Sequence, residues 1–441
     1  MANPPQAPRG MRDFLPDRMI LRHHVTGVFR GVFERYGFEP LDTPAVEYAE
    51  TLEGKYGEEA DKLIYKFEDR GGRRVGLRYD LTVPLARVVA QYPDLPKPFK
   101  RYQIAPVWRA ERPQKGRYRE FWQCDADTVG STSMLADAEI LAVVYTALRE
   151  LGFPQFVMRL NNRKILKGVA AFAGVPEGEE ASVLRSVDKL DKVGEVGVRT
   201  ELLEKGFGED VVGRLFELLA PEASGDVLAR LRTQLVDNAE AQDGIGELEQ
   251  VREYLGALGV PEAFCRIDLA MVRGLDYYTG PIFETVVEEP RIGSITGGGR
   301  YDHLIGIFSG RDIPAVGSTL GLERIVDVME ALGLFPAAKT LTRVLVTVFD
   351  TAAAPESLRL AAELRAAGVC AEVYLAEKGG FRKQLAYANA KGIPLVALLG
   401  PDEIARREVT LRNMADGSQE SVARGEVVGR LRGEVVGRLR G

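Results

Sequence analysis

Apolar residues first recur at helical spacing. After Asp17 come Leu21, Val25, Val28, Phe29, Val32, Phe33 and Tyr36, and Gly37 follows them. That period and its glycine stop predict one long amphipathic helix. Val75 to Val89 reads as a strand entering a helix, and Phe99 to Asp127 as two antiparallel strands joined by a charged loop at 110–117. From about 164 to 265, leucines fall at helical intervals among charged residues and glycine breaks, which predicts a helical insertion between strand-rich segments. After Leu341 the segments RVLVTVF, PESLRLAAELRAAG, AEVYL, FRKQLAYANAKG and PLVALLG alternate strand and helix, the pattern of a small sheet covered by helices. The octet GEVVGRLR stands twice in succession, at 425–432 and 433–440. Two copies are too few for a solenoid. We expect the first to finish the last helix and the second to be a dispensable extension.

At 441 residues the chain exceeds one core, and about 100–200 residues per domain gives two to four domains. No run approaches the roughly 20 apolar residues that span a bilayer, and MANPPQAPRGMRDFLPD has no apolar signal core, so a soluble cytoplasmic protein is expected. Cys124, Cys265 and Cys370 lie far apart without a CxxC pair, and His23, His24 and His303 lack the spacing of a metal cluster, so no zinc site is expected. The net charge of −6 disfavours nucleic acid only if it is uniform, and it is not. Residues 97–120 carry 8 basic and 2 acidic side chains, and residues 341–441 carry 15 and 12. Both regions suit phosphate.

The chemistry concentrates in four segments: VWRAERPQKGRYREFWQCDADTVG at 107–130, VRGLDYYTG at 272–280, SITGGGRYD at 294–302 and GSTLGLERI at 317–325. Arginine keeps its charge and grips phosphate with a planar fork. The first segment therefore suits a nucleoside triphosphate through its arginines and a small polar substrate through its acids. It resembles the second signature motif of the class II aminoacyl-tRNA synthetases, and GLERI resembles the third. RGLDYYTG and TGGGRYD resemble the two signature peptides of the histidine-specific branch. On these residues the chain resembles the histidyl-tRNA synthetase family over nearly its whole length.

The resemblance implies an α+β fold. Its parts are a catalytic core of antiparallel sheet with flanking helices (1–163 and 266–335), an inserted mainly helical domain that meets the tRNA acceptor arm (164–265), and a C-terminal α/β anticodon-binding domain with the repeated tail (341–441). GFEPLDTPAVEYAETL at 37–52 resembles the family's first motif, which implies a homodimer. Arg109 would clamp the α-phosphate of ATP, Arg117 reach the β and γ phosphates, and Arg324 lie against the adenine face or γ-phosphate. Arg273 would sit beside the α-phosphate and the substrate carboxylate, sharing the catalytic role with Arg109. Asp80, Thr82 and Gln123 match ammonium-binding positions. Asp127 and Tyr278 match imidazole-binding positions, with Tyr277 and Tyr301 completing the histidine pocket. Many bacterial members carry glutamate at the positions of Asp80 and Asp127. Arg112 and Gln114 are candidates for the tRNA acceptor end. Mg²⁺ would accompany ATP, with no ligands readable.

A substrate carboxylate is already ionised at pH 7, so adenylate formation asks the protein for positioning and charge neutralisation rather than a general base. Two other readings compete. One is a catalytically inactive paralogue serving histidine biosynthesis as a regulatory subunit, against which stand Arg109, Arg273, Arg324 and the C-terminal α/β pattern. The other is a synthetase for proline or threonine, against which stand Tyr277, Tyr278 and TGGGRYD.

Overall fold

The computed structural model describes residues 5–54, 61–113, 117–219, 226–272, 277–335, 339–375 and 380–438, with side chains as far as 432. It divides into two compact units, residues 1–13 with 24–334 and residues 14–23 with 335–441.

The first unit is built on an eight-stranded sheet in the order β1-β5-β6-β11-β10-β9-β7-β8. These strands are β1 (Glu39–Pro40), β5 (Phe99–Trp108), β6 (Glu120–Val129), β7 (Val157–Asn162), β8 (Cys265–Ile267), β9 (Pro281–Val286), β10 (Thr296–Arg300) and β11 (Ala315–Gly321). A three-stranded antiparallel sheet, β2 (Val46–Tyr48), β4 (Arg74–Leu77) and β3 (Lys66–Glu68), precedes the main hairpin. β5 and β6 pair along their whole length, from Phe99 opposite Val129 to Trp108 opposite Glu120.

Because successive strand residues face opposite ways, pairing partners share a face. One face carries Tyr102, Ile104, Cys124, Ala126, Val316 and Leu320, and the other carries Arg101, Gln103, Gln123, Asp125, Asp127, Gly317 and Thr319. Helices cover the first face. The helix α1 (Pro16–Arg35) buries Val25, Phe29, Val32 and Phe33 completely, and the Phe33 ring lies 5.5 Å from Tyr102. Two short helices follow, α2 (Ala49–Leu52) and α3 (Thr82–Gln91). The helix α4 (Met134–Glu150), capped by the Ser133 hydroxyl accepting from Leu135 N at 3.2 Å, buries Ile140, Leu141 and Val144. The second face is polar and glycine-rich, unusual for a sheet interior.

Among the described residues between the parallel neighbours β7 and β8 lie the α-helices α5 (Arg163–Ala173), α6 (Glu180–Val187), α7 (Leu190–Glu204), α8 (Glu209–Leu219), α9 (Val227–Gln234) and α10 (Ala239–Ala257). The chain leaves and rejoins the sheet at one edge. The helix α11 (Gly306–Ser309) follows β10, and α12 (Leu322–Leu332) follows β11.

The second unit has a five-stranded sheet, β13 (Ala371–Val373), β12 (Val344–Val346), β14 (Leu395–Leu398), β15 (Glu408–Asn413) and β16 (Gln419–Ala423), in that order. The first three strands are parallel and the last two antiparallel. Its helices are α13 (Ala354–Ala366), α14 (Phe381–Lys391), α15 (Pro401–Arg406) and α16 (Val427–Arg438). Val344, Val346, Leu360, Leu364, Val409 and Leu431 close one core. The backbone of α16 continues into the second octet as far as Arg438, because that octet repeats the residues that extend the first. Among the described residues no helix is long and apolar enough to cross a membrane.

Candidate active site

The polar face of the large sheet gathers residues from distant segments. Arg101 from β5 is fully buried, and its Nη2 lies 2.9 Å from Asp127 Oδ2. The other Asp127 oxygen, Oδ1, accepts from the Tyr301 hydroxyl at 2.5 Å. Asp127 can stand there because its neighbour on β11 is Gly317, where a Cβ would come within 1.9 Å of Oδ1. Gln123 donates from Nε2 to the Thr319 hydroxyl at 3.2 Å. Asp125, between Gln123 and Asp127 on the same face, is 3% exposed and takes a hydrogen bond from Thr319.

Burial pushes the carboxyls of both Asp125 and Asp127 upward, against the pull of Arg101, and the Asp127 charge raises Asp125 further. Burial likewise holds the Tyr277 and Tyr301 phenols well above their ordinary value, so both remain proton donors. Tyr277 and Tyr278 stand with ring centroids 4.5 Å apart, and Tyr277 meets Tyr301 edge-on at 5.8 Å. Gly299 leaves room for Tyr278, whose ring a Cβ would approach at 2.8 Å.

One short turn carries two arginine anchors. Arg109 Nε donates to Tyr79 O at 3.0 Å, and Arg101 Nη2 donates to Leu81 O at 3.1 Å. Asp80 lies between them, buried, its Oδ1 accepting from Val83 N at 3.1 Å at the start of α3, where Thr82 is the first residue. The Arg109 guanidinium stands 5.1 Å from the Phe121 ring centroid. Glu111 lies between Arg109 and Arg117, at 4.0 and 3.6 Å. Arg117 and Arg112 are exposed. Arg324 donates to Ser294 O at 2.6 Å, while the buried Glu323 next to it accepts from Trp122 N at 3.1 Å and fixes α12 to β6.

Asp80, Gln123, Asp127 and Tyr301 thus meet at one buried floor, with Tyr277 edge-on to Tyr301, Tyr278 tilted against Tyr277, and Arg109 anchored to the turn that holds Asp80. Arg273 and Gln114 lie outside the described residues. The GGGRYD peptide divides by strand alternation. Tyr301 turns to the floor, whereas Arg300 turns to the helical face and binds Asp137 of α4, and Asp302 accepts from the Thr279 hydroxyl at 2.7 Å. Sequence reasoning passed over Arg101, Gln103, Asp125 and Thr319. The signal was present in QCDAD, since a strand read with period two puts Gln123, Asp125 and Asp127 on one face. The arrangement can hold a donor-rich polar solute on the floor beside an anion at the arginines.

A polar pocket on an antiparallel sheet, flanked by arginines on a hairpin, defines a site for a small polar molecule and a phosphate ester. Comparison with known proteins makes the assignment specific. The family model described as histidyl-tRNA synthetase matches residues 10–325, and that described as an anticodon binding domain matches residues 343–434. A histidine–tRNA ligase of Gloeobacter violaceus is 48% identical over 94% of this chain and 95% of its own length. One of Aeropyrum pernix is 46% identical over 96% and 97%. The crystal structure of histidyl-tRNA synthetase from Nostoc sp. PCC 7120 superposes with a TM-score of 0.87 at 33% identity, covering 97% of this chain and 99% of that one. The chain belongs to the histidyl-tRNA synthetase family.

Proposed function

We infer that this chain uses ATP to attach L-histidine to histidine-specific tRNA through a histidyl-adenylate. The observation that carries the reading is the convergence of Asp80, Gln123, Asp127 and Tyr301 on one buried floor, next to the turn that anchors Arg109. In the first step a histidine carboxylate oxygen attacks the α-phosphorus of ATP, a new P–O bond forms, and the bond to pyrophosphate breaks. Arg109 and Arg273 neutralise charge on the five-coordinate phosphorus, and fixed guanidiniums do so without reorganisation. Arg117 and Arg324 hold the remainder of the nucleotide. Asp80, Thr82 and Gln123 receive the α-ammonium, while Asp127, Tyr277, Tyr278 and Tyr301 form the imidazole end. In the second step a terminal ribose hydroxyl of tRNA attacks the adenylate carbonyl and AMP leaves, with Arg112 and Gln114 at the acceptor end.

Among the described residues no group of three or more His, Cys, Asp or Glu side chains could hold a metal. Mg²⁺ would enter with ATP on its phosphates and screen the pyrophosphate charge. We assign 164–265 to acceptor-arm contact and 341–441 to the anticodon. A cytoplasmic homodimer completes the reading. In its support, Val46 and Tyr48 of the 37–52 segment and Phe67 on β3 expose an apolar strip on one face of the small sheet. The test is ATP–pyrophosphate exchange with each of the twenty amino acids. Exchange with histidine alone is expected, and exchange with another amino acid overturns the specificity.

A further inference from the structure

The residue that resemblance assigns to the imidazole has one oxygen in a hydrogen bond within the protein and the other in an ion pair. Asp127 Oδ1 holds the Tyr301 hydroxyl, and Oδ2 faces Arg101 Nη2 at 2.9 Å, although without hydrogen-bonding alignment. Two residues earlier on the same face, Asp125 is equally buried, and its Oδ1 has no hydrogen-bond partner. Gln103 Oε1 and Gln123 Oε1 are likewise unpaired, although Gln103 is 2% and Gln123 6% exposed. The unpaired donors on this floor are Arg101 Nε and Nη1. Buried polar atoms without partners are costly and rare in native proteins. Among the described residues, unpaired acceptor atoms outnumber unpaired donor atoms here, and two carboxylates face one guanidinium. The floor is therefore complementary to a solute that brings N–H groups and positive charge.

Position fits this reading. Strand residues two apart are separated by about 7 Å, so Asp125 lies under the middle of a solute running from Gln123 to Asp127. Gln103 from β5 and Thr319 from β11 flank it.

We propose that Asp125 is a specificity-determining residue of the amino-acid pocket, and that through it pocket and substrate together retain one extra proton, selecting a basic azole side chain over an isosteric non-basic one. The proposal rests on the histidine reading of the floor. The charged and titratable groups facing Asp125 are Arg101 on β5, Asp127 on β6, Asp80 before α3 and Tyr301 after β10. Among the described residues only Arg101 in this group is cationic. Burial raises the Asp125 carboxyl to about 7, so at pH 8 the empty pocket holds it mostly ionised and takes up a proton with the entering imidazole. The bound ring then carries two N–H donors, which answer the acceptor surplus. A 1,2,4-triazole ring has nearly the same shape but is too weakly basic to do so.

The test compares histidine with 1,2,4-triazole-3-alanine in ATP–pyrophosphate exchange for the wild type, Asp125→Asn and Asp127→Asn. Asp125→Asn should lower kcat/KM for histidine about 10- to 100-fold, the scale of a buried hydrogen bond to a charged group. The loss for the triazole should be under about threefold on the same reasoning, so that discrimination collapses while the KM for ATP holds. Equal losses on both substrates, or no loss, would overturn the proposal. Asp127→Asn separates the two levels. If it weakens histidine and Asp125→Asn does not, only the proposal fails; if neither weakens histidine, the pocket assignment fails as well. A second measurement needs no variant. Calorimetric titration of the wild type with histidine at pH 8, in buffers of different ionisation enthalpy, should show uptake of a substantial fraction of one proton, and triazolylalanine should show none. Zero uptake with histidine would also overturn the proposal.

Discussion

Two buried arginine–aspartate pairs lie on opposite faces of the same sheet, and they differ in how completely they are satisfied. Arg300 meets both oxygens of Asp137 and also donates to Ser131 O at 2.8 Å and Ser133 O at 3.2 Å. That pair stitches β10 to the start of α4. Arg101 instead meets Asp127 through one nitrogen, reaches Leu81 O with the same nitrogen, and leaves Nε and Nη1 unpaired. Burial is alike in both, since each arginine is 3% exposed or less. Completeness of hydrogen bonding, rather than burial or charge, separates a structural ion pair from one that awaits a solute.

The comparison breaks most visibly at Asp137. Asp137→Ala would strand the Arg300 charge and should cost about 3–5 kcal/mol of stability, read by denaturant unfolding, with histidine KM near wild type in whatever remains folded. Asp127→Asn should do the reverse. Its stability change should be the smaller of the two, because Asp125 still faces the Arg101 guanidinium, while histidine KM in pyrophosphate exchange rises roughly a hundredfold, or about 2.7 kcal/mol. An unaltered KM would move the imidazole partner elsewhere. Gly317→Ala sharpens the contrast, because its methyl group would displace Asp127 without changing any charge. An overpacked site of this kind typically costs about 1–3 kcal/mol, and histidine KM should rise about tenfold while that for ATP holds. Smallest is Arg117→Ala. This arginine is exposed and, among the described residues, its ion-pair contact is the long one to Glu111, so ATP KM should rise about threefold, in keeping with the modest energies of exposed pairs.

Much of the architecture was legible in the sequence because its periods were clean. The run from Leu21 to Phe33 lies in α1, the segment 99–127 holds the paired strands β5 and β6, and the alternation after Leu341 is the second unit's sheet and helices. The four peptides that marked the family contain Gln123, Asp127, Tyr278 and Tyr301, and the separate segment LRYDLTVP contains Asp80. What the sequence did not yield was the division of labour within those peptides. Arg300 and Tyr301 are adjacent in GGGRYD, yet pleating sends one to a helix and the other to the pocket. Arg101 reads as a charge in a basic stretch, and only the register placing it opposite Asp127 reveals a buried pair. Asp125 went unremarked because no motif position claimed it.

The most direct test is thermal unfolding of the wild type, Asp127→Asn and Asp137→Asn, each with and without saturating histidine. A ligand that binds only the folded state raises its midpoint in proportion to the logarithm of occupancy. Histidine should raise the midpoint of the wild type and of Asp137→Asn, the latter starting from a lower value, and should leave Asp127→Asn nearly unmoved. A histidine shift in Asp127→Asn as large as in the wild type would contradict the assignment of the incompletely paired face to the substrate.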